Sequence, residues 1–367
     1  MTDVSRLIPH LTDPVALTRE LIDIESVSGN EQHIADSVYA ALQHISDTGV
    51  ELELLRDGDT IVARTHLNTH QNRGQRIVIA GHLDTVPIEN NVPSTQNNDT
   101  IYGRGACDMK SGVAMQLCVA AALRKPAYDI TWVFYDHEEV DASLNGLGRV
   151  ARNHPEWLHG DFAILGEPSN AGIEGGCNGT IRVEVRAQGV RAHSARAFVG
   201  VNAIHKIAPA LAKLADFEAP TITVDGLDYR ESLSAVGITG GVATNVIPDE
   251  CVLTVNYRFA PSKSVDEAEQ FLRDFFTDYA VTVTDVSPGA RPGLDQDMAA
   301  AFVKTVGEEP KPKLGWTDVA RFSELGIPAV NYGPGDPLYA HRADEQVPVS
   351  DIITAVEKLH AFLEADA

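Results

Sequence analysis

Residues 76–84 read Arg-Ile-Val-Ile-Ala-Gly-His-Leu-Asp, a short apolar run that ends in polar side chains. Two later stretches have the same form, because residues 129–139 end in Asp-His-Glu-Glu and residues 162–168 end in Gly-Glu-Pro. A fourth apolar run, residues 328–332, leads through a loop to His341. Short apolar runs are typical of buried strands, and open α/β sheets bind ligands beyond the carboxyl ends of their strands. We therefore expect these polar groups to meet in one crevice.

Strand and helix patterns alternate along the first half of the chain, which predicts an α/β fold. Asp13 followed by Pro14 predicts a helix N-cap, and Ser28 with Glu31 has the spacing of a capping box that would open a second helix. Residues 109–124 are expected to form an apolar helix. The predicted strands are residues 50–55, 61–65, 76–80, 129–135 and 162–165.

The pattern changes between about residues 180 and 285, which predicts an inserted α+β domain. Its expected elements are strands at 181–185 and 251–259 and helices near 203–214 and 264–279. The α/β pattern then resumes, with helices near 296–306 and 318–326 and a last helix from about residue 350. We expect residues 178–288 to form the insertion and residues 1–177 and 289–367 to form a discontinuous first domain.

The 367 residues include 29 Lys and Arg against 52 Asp and Glu, which gives a formal net charge of −23. Such a surface repels phosphate backbones and anionic lipids, so neither nucleic acid nor a membrane is an expected partner. No stretch reaches the roughly 18 apolar residues of a membrane span. The four cysteines are widely spaced without a Cys-x-x-Cys pair, which argues against a disulfide framework and favours a cytoplasmic location.

The polar groups after the strands, with one carboxylate at the start of the third helix, supply a set of metal-ligand types: His82, Asp108, Glu139, Glu167 and His341. Imidazoles and carboxylates without thiolates suit zinc, cobalt or manganese. A carboxylate that bridges two metals about 3.5–4 Å apart would leave Glu138 unligated as a general base. Taken singly, these residues have ordinary alternatives: an exposed histidine, a helix cap for Asp108 and a surface charge pair at residues 138–139.

The chain resembles a family of dinuclear zinc amidohydrolases in five separated motifs. The motifs are Gly-His-Leu-Asp-Thr-Val-Pro (81–87), Gly-Arg-Gly-x-x-Asp-Met-Lys (103–110), Glu-Glu (138–139), Gly-Glu-Pro (166–168) and Ala-His (340–341). The family includes acetylornithine deacetylase, succinyl-diaminopimelate desuccinylase, aminoacylase and carboxypeptidase G. The resemblance implies a zinc-peptidase-like catalytic domain, with a mixed sheet flanked by helices. It also implies that the insertion is a ferredoxin-like lid and dimerisation domain.

The resemblance further implies how the ligands divide between two divalent ions, zinc or cobalt. Asp108 would bridge the two ions. His82 and Glu167 would complete one site. Glu139 and His341 would complete the other.

Roles outside the ligand set are also implied by the resemblance. Asp84 would support the ligands, and Glu138 would be the catalytic base. His193, within residues 189–194, is expected to reach the active site of a dimer partner and stabilise an oxyanion. Asn245 and Arg258 are expected to contact the substrate carbonyl and carboxylate, since a guanidinium can donate two parallel hydrogen bonds to a carboxylate. The protein would then be a homodimer that forms through the insertion.

Within the family, residues 137–148, 189–196 and 315–322 most resemble actinobacterial succinyl-diaminopimelate desuccinylases. The implied substrate is an N-acyl amino acid, N-succinyl-L,L-2,6-diaminopimelate, which water would convert to succinate and L,L-2,6-diaminopimelate. One departure is Cys177-Asn178, which replaces the Arg-Gly of many desuccinylases and removes an expected carboxylate contact. Two alternatives stay open: another N-acyl-amino-acid hydrolase such as acetylornithine deacetylase, and a catalytically silent dimeric binding protein.

Overall fold

The computed structural model describes residues 3–67 and 74–364. Its helices are α1 (Pro14–Ile22), α2 (Gln32–Thr48), α3 (Lys110–Ala122), α4 (Gly146–Asn153), α5 (Ala203–Ala215), α6 (Val265–Phe275), α7 (Asp297–Val306), α8 (Val319–Glu324) and α9 (Val349–Leu363). Its strands are β1 (Glu53–Asp57), β2 (Thr60–Arg64), β3 (Arg76–His82), β4 (Thr95–Asn97), β5 (Thr100–Tyr102), β6 (Asp129–Tyr135), β7 (Phe162–Leu165), β8 (Glu174–Gly175), β9 (Gly179–Gln188), β10 (Ala192–His193), β11 (Thr221–Val224), β12 (Leu227–Arg230), β13 (Ser232–Gly240), β14 (Val246–Ile247), β15 (Glu250–Phe259), β16 (Ala280–Ser287), β17 (Lys311–Pro312), β18 (Ala329–Asn331) and β19 (Gln346–Pro348). No helix in these two ranges is both long and apolar enough to cross a membrane.

The largest sheet of the described residues has eight strands in the order β1-β2-β6-β3-β7-β18-β8-β17. Four neighbouring strands, β6, β3, β7 and β18, run parallel to one another, while β1, β2 and β8 pair antiparallel. The four parallel strands therefore end at the same edge of the sheet. Helices α1, α3 and α9 pack on one another, and α2 and α3 also pack on strands. The predicted α/β class with a mixed sheet and flanking helices is confirmed.

The chain divides into two compact units. One comprises Met1–Gly175, Gly293–Lys311 and Arg321–Ala367, and the other comprises Gly176–Pro292 and Pro312–Ala320. The second unit contains a four-stranded antiparallel sheet in the order β13-β15-β9-β16, against which α5 and α6 pack. The chain order β9-α5-β13-β15-α6-β16 is the β-α-β-β-α-β pattern of ferredoxin-like folds, as expected for the insertion.

Several predicted elements have the expected bounds, and others do not. Strands β6 and β7 match residues 129–135 and 162–165. Strand β3 continues to His82 instead of ending at Ala80, because its backbone stays paired with β6 up to Tyr135. The sequence analysis missed α4, the β11–β12 hairpin and the small sheet β19-β5-β4. Strand β4 reads Thr-Gln-Asn and is fully exposed, so it has no apolar pattern to detect.

The two predicted helix caps have different outcomes. Asp13 caps α1 through hydrogen bonds from the backbone N–H groups of the next turn, at 3.0 and 3.1 Å, which confirms that prediction. The capping box at the start of α2 is wrong. The Ser28 hydroxyl donates instead to Asp84 at 2.7 Å, and Glu31 accepts from the N–H of Gly29 at 2.9 Å. The Ser28 side chain thus bonds to a residue 56 positions away in the chain, and not to the backbone at the start of α2.

Helix α3 begins against the ends of the parallel strands because glycine permits a close approach there. A Cβ atom at Gly112 would lie 2.0 Å from the carbonyl oxygen of Gly166, which follows β7. A Cβ atom at Gly81, in β3, would lie 2.6 Å from Cε of Met109, just before α3. Only hydrogen fits at these distances. The residue before Met109 is Asp108, which is thereby brought to the carboxyl edge of the sheet.

This packing makes an unusual stability prediction for Gly112→Ala. Glycine to alanine ordinarily stabilises a helix by about 1 kcal/mol. Here we expect the free energy of unfolding to fall by about 1–3 kcal/mol, because the added methyl group overlaps the Gly166 carbonyl. Urea unfolding followed by circular dichroism measures the change.

Gly315→Ala is the control for this experiment, since a Cβ atom at Gly315 would meet no atom within 4 Å. That variant should keep wild-type stability. An unchanged or increased stability of Gly112→Ala would contradict the packing argument.

Candidate metal centre

Four of the five predicted ligands are linked by contacts at the carboxyl edge of the sheet. His82 Nε2 lies 3.0 Å from Asp108 Oδ1. His341 Nε2 lies 3.0 Å from Glu139 Oε1 and 3.4 Å from Asp108 Oδ2. One ligand atom each of His82, Asp108 and Glu139 lies within 4.8 Å of the other two. The cluster is therefore a candidate metal-binding site, with one oxygen of Asp108 facing each histidine.

Glu167, the fifth predicted ligand, is placed at the same edge by strand register. Leu165 of β7 lies opposite Ala80 of β3, and the N–H of Gly166 donates to the Ala80 carbonyl at 2.9 Å. Glu167 follows directly and is buried. His82 and Glu167 each lie two residues beyond the last pair of this register, Ala80 and Leu165, so the parallel pairing brings both residues to one edge.

Asp108 does not cap a helix. Helix α3 begins at Lys110, its N-cap residue is Met109, and no side chain accepts a capping hydrogen bond there. The carboxylate of Asp108 faces His82 and His341 instead. The helix-cap alternative for Asp108 is therefore wrong.

The carboxylate of Asp84 holds the backbone at the two glutamates. It accepts hydrogen bonds from the N–H of Glu138 at 2.9 Å, from the N–H of Glu139 at 3.0 Å and from the hydroxyl of Ser28 at 2.7 Å. Its distance to His82 Nδ1 is longer, 3.5 Å. Sequence reasoning placed Asp84 near the ligands but missed this clamp, because backbone donors leave no trace in the residue pattern.

Charges within the cluster shift its pKa values. Hydrogen bonds to Asp108 and Glu139 raise the pKa of His341 to about 10. Burial by itself would raise the pKa of Asp108. Hydrogen bonds from His341 and His82 outweigh the effect of burial and hold that pKa below its usual range. Burial and the charge of Asp108 raise the pKa of Glu139. Protons on imidazole thus balance the carboxylates, and a divalent cation held by these residues would take their place.

A second network, centred on the buried carboxylate of Asp136, anchors the segment that follows β6. The Asp136 carboxylate accepts hydrogen bonds from the Thr60 hydroxyl at 2.6 Å and from the Arg149 guanidinium at 2.8 and 3.0 Å. His137 Nδ1 lies 2.7 Å from the same carboxylate. The backbone of His137 has a φ of 58°, a left-handed conformation that is uncommon outside glycine. The network fixes the chain immediately before Glu138.

In the second unit, the short β10–β14 ladder brings two predicted residues together. His193 lies opposite Val246, and the N–H of Ser194 donates to the carbonyl of Asn245 at 2.9 Å. His193 is exposed, and its Nδ1 accepts a hydrogen bond from the N–H of Ala195 at 3.0 Å. In the neutral ring the proton is therefore on Nε2, which leaves that nitrogen as a donor.

Arg258 lies on β15, opposite Thr180 of β9, and is partly buried. Burial and the nearby charge of Arg182 lower its pKa. Asn178, at the departure from the family pattern, is buried and donates its amide hydrogens to the carbonyls of Arg230 and Leu314 at 3.0 and 3.2 Å. Its side-chain amide thus binds backbone of its own unit.

Comparison with known proteins places these features in a family. Residues 78–365 match the model of peptidase family M20/M25/M40. A Mycobacterium tuberculosis protein named "Putative succinyl-diaminopimelate desuccinylase" is 51% identical over 353 residues, which are 96% of this chain and 98% of that protein. The Corynebacterium glutamicum succinyl-diaminopimelate desuccinylase is 44% identical over 364 residues, 96% of each chain.

Solved structures agree on the fold. A Bacillus cereus aminopeptidase superposes with a TM-score of 0.75 at 18% identity and covers 96% of this chain and 98% of its own. A Bacillus subtilis dinuclear metal-binding peptidase superposes with a TM-score of 0.69 at 16% identity, over 96% and 97% of the two chains. Because the family model matches residues 78–365 and the Mycobacterium tuberculosis protein is 51% identical over 96% of this chain, the chain belongs to peptidase family M20/M25/M40.

Proposed function

We propose that this protein hydrolyses N-succinyl-L,L-2,6-diaminopimelate to succinate and L,L-2,6-diaminopimelate. The observation that carries the proposal is the identity of 51% and 44% to two full-length relatives that both bear the name succinyl-diaminopimelate desuccinylase. In the reaction the amide C–N bond breaks, the water oxygen joins the succinyl carbonyl carbon, and a proton of water passes to the leaving amine. The candidate metal centre supports this chemistry.

We propose that the site holds two divalent ions, zinc or cobalt. His82 and Glu167 would hold one ion. Glu139 and His341 would hold the other, with Asp108 shared between them. The donor set fits, because two imidazoles and three carboxylates without a thiolate suit these metals. When bound, such a pair lowers the pKa of water to about 7 and polarises the amide carbonyl.

Glu138 is the proposed general base. It is half-buried next to Glu139, and its backbone N–H is fixed by Asp84 at 2.9 Å. Its carboxylate takes a proton from the attacking water and returns that proton to the leaving amine. Asp84 is a positioning residue for this step, because its carboxylate accepts from the backbone N–H of Glu138 and so fixes where the Glu138 side chain begins.

Three residues of the second unit are proposed to act on the substrate. His193 presents Nε2–H as a donor for the developing oxyanion, a type of contact worth about 3–4 kcal/mol per donor. Asn245, which directly precedes β14 and whose carbonyl accepts from the N–H of Ser194, contacts the substrate carbonyl. Arg258 contacts a substrate carboxylate. We propose that the insertion, residues 178–288, serves as lid and dimerisation domain.

The first test follows succinate release from N-succinyl-L,L-2,6-diaminopimelate by metal-free and zinc-reconstituted protein. Zinc should be required, and Glu138→Gln should lower kcat about 10²–10⁴-fold through loss of the general base. Glu138→Gln should still bind zinc, measured by elemental analysis. Asp141→Asn is the matched control, because Asp141 is an exposed carboxylate of the same loop that accepts from the N–H of Ser143.

Other outcomes of that assay identify the alternatives. Release of acetate from N-acetylornithine, with the succinyl compound untouched, would replace the proposal with another N-acyl-amino-acid hydrolase. Zinc binding with every tested amide intact would favour a catalytically silent binding protein. Wild-type turnover by Glu138→Gln would remove Glu138 as the base.

Asp84→Asn tests the backbone clamp. The amide can accept only through its single oxygen, so one of the two N–H groups at residues 138–139 would face a donor. We expect kcat/KM to fall about 10–100-fold, the usual cost of losing an outer-shell partner in a metal site. Ser28→Ala removes only a neutral donor to the same carboxylate and should cost less than tenfold. Equal, small effects of both variants would refute the clamp.

We propose that the homodimer forms through β13. This strand is at the edge of its sheet, pairs among the described strands only with β15, and is almost entirely exposed. Large apolar side chains are exposed on this strand and just after it: Val236, Ile238 and Val242. An exposed apolar edge strand offers unpaired N–H and C=O groups to another chain. A second copy of β13 is the simplest partner.

Ile238→Lys tests this interface, since a lysine on an edge strand opposes strand pairing. We expect a monomer by light scattering, with zinc content unchanged and turnover at least about tenfold lower if His193 acts across the dimer. Val286→Lys, on the opposite edge strand β16, is the control and should remain a dimer. A monomer with full turnover would show that His193 is not needed in trans.

The expected absence of nucleic-acid and membrane partners and the cytoplasmic location stay predictions. All four cysteines are buried and none is in a disulfide, which is compatible with a reducing compartment.

A further inference from the structure

Arg104 and Glu345 form an ion pair that the reaction described above does not use. Their side chains are each 1% exposed, and Arg104 Nη1 lies 2.8 Å from Glu345 Oε2. The cost of burying two charges can exceed the energy gained by pairing them, and a hydrophobic pair of similar size often serves stability as well or better. Stability alone is therefore a weak explanation for the pair.

The second oxygen of Glu345 holds the backbone that carries Asp108. Glu345 Oε1 accepts hydrogen bonds from the N–H of Cys107 and from the N–H of Asp108, both at 3.0 Å. The backbone carbonyl of Glu345 accepts from the N–H of Gly103 at 3.1 Å. One residue thus binds both ends of the turn between β5 and α3.

Arg104 extends the same connection to the loop of His341. Its Nη1 donates to the carbonyl of Arg342 at 3.1 Å, and its Nε donates to the carbonyl of Pro87 at 3.0 Å. Arg342 is the neighbour of His341, whose φ of 65° is a left-handed conformation that needs support in a residue other than glycine. The ion pair therefore joins the turn of Asp108 to the loop of His341, across more than 200 residues of sequence.

We propose that Glu345, paired with Arg104, is a positioning residue that fixes Asp108 and His341 at the separation a divalent metal needs. Glu345 itself does not ligate, since its carboxylate is taken by Arg104 and by two backbone donors. The inference rests on the proposed metal site and is independent of the acyl group that is hydrolysed. If the pair only stabilised the fold, its loss would lower stability and leave the metal affinity of the folded protein unchanged.

Glu345→Gln separates the two roles, because it keeps size and one acceptor but removes the charge that Arg104 faces. We expect the zinc affinity of the metal-free protein, measured by competition with a chromophoric chelator, to fall about 10–100-fold. The visible absorption of the cobalt-loaded protein should change as the ligand geometry changes. Both readouts need no substrate, so failure of succinyl hydrolysis would not affect them.

Glu231→Gln is a matched control in the second unit. Glu231 is also 1% exposed, and it accepts hydrogen bonds from the hydroxyl of Tyr257 at 2.8 Å, from Lys263 Nζ at 2.8 Å and from the N–H of Ala260 at 2.9 Å. Its loss should lower the melting temperature of the metal-free protein and leave zinc affinity at the wild-type value.

The proposal is overturned if Glu345→Gln lowers the melting temperature as the Glu231 control does but binds zinc with wild-type affinity. If Glu345→Gln does not fold, Glu345→Asp carries the same comparison, because it keeps the charge and withdraws the carboxylate by one methylene group. Weakened zinc binding by folded Glu345→Asp supports the positioning role, and wild-type binding refutes it.

Discussion

Parallel pairing of β3 with β6 and β7 is the constraint on which the rest of the site depends. In this register Ala80 lies opposite both Val133 and Leu165. Three chain segments therefore leave the sheet at the same edge and at the same level, each with an imidazole or carboxylate within a few residues. The close packing of α3 on the Gly166 carbonyl then brings the turn of Asp108 to that edge. Strand pairing therefore brings the candidate metal ligands to one edge of the sheet.

Buried carboxylates hold the loops that carry these donors. Asp84 accepts from two consecutive backbone N–H groups after β6, and Glu345 accepts from two before α3. Asp136 similarly binds Arg149 and Thr60. Part of the acidic excess of the sequence is therefore internal and structural. The formal charge of −23 therefore overstates the charge that a ligand meets at the surface.

Sequence reasoning succeeded where a signal was both local and repeated. Apolar runs predicted β6 and β7 with their observed bounds, and two of the polar residues that follow such runs, His82 and Glu139, lie in one cluster with Asp108. It failed where a polar side chain has a distant partner. Ser28 has capping-box spacing, but its hydroxyl donates to Asp84, which is 56 positions away in the chain. Helix propensity and residue spacing predict only contacts between residues close in sequence. They cannot predict a hydrogen bond to a buried carboxylate that lies far away in the chain.

The sequence by itself determined the α/β class, the α+β pattern of the second unit and the chemical types of the candidate metal ligands, because periodicity and residue identity carry that information. Only the tertiary structure decided which donors touch, that Asp84 clamps the glutamate backbone, and that Arg104 and Glu345 tie Asp108 to the loop of His341. These contacts depend on backbone N–H and C=O groups, which every residue shares and no residue pattern marks. They appear only when strands far apart in the chain pair and bring their loops to one edge.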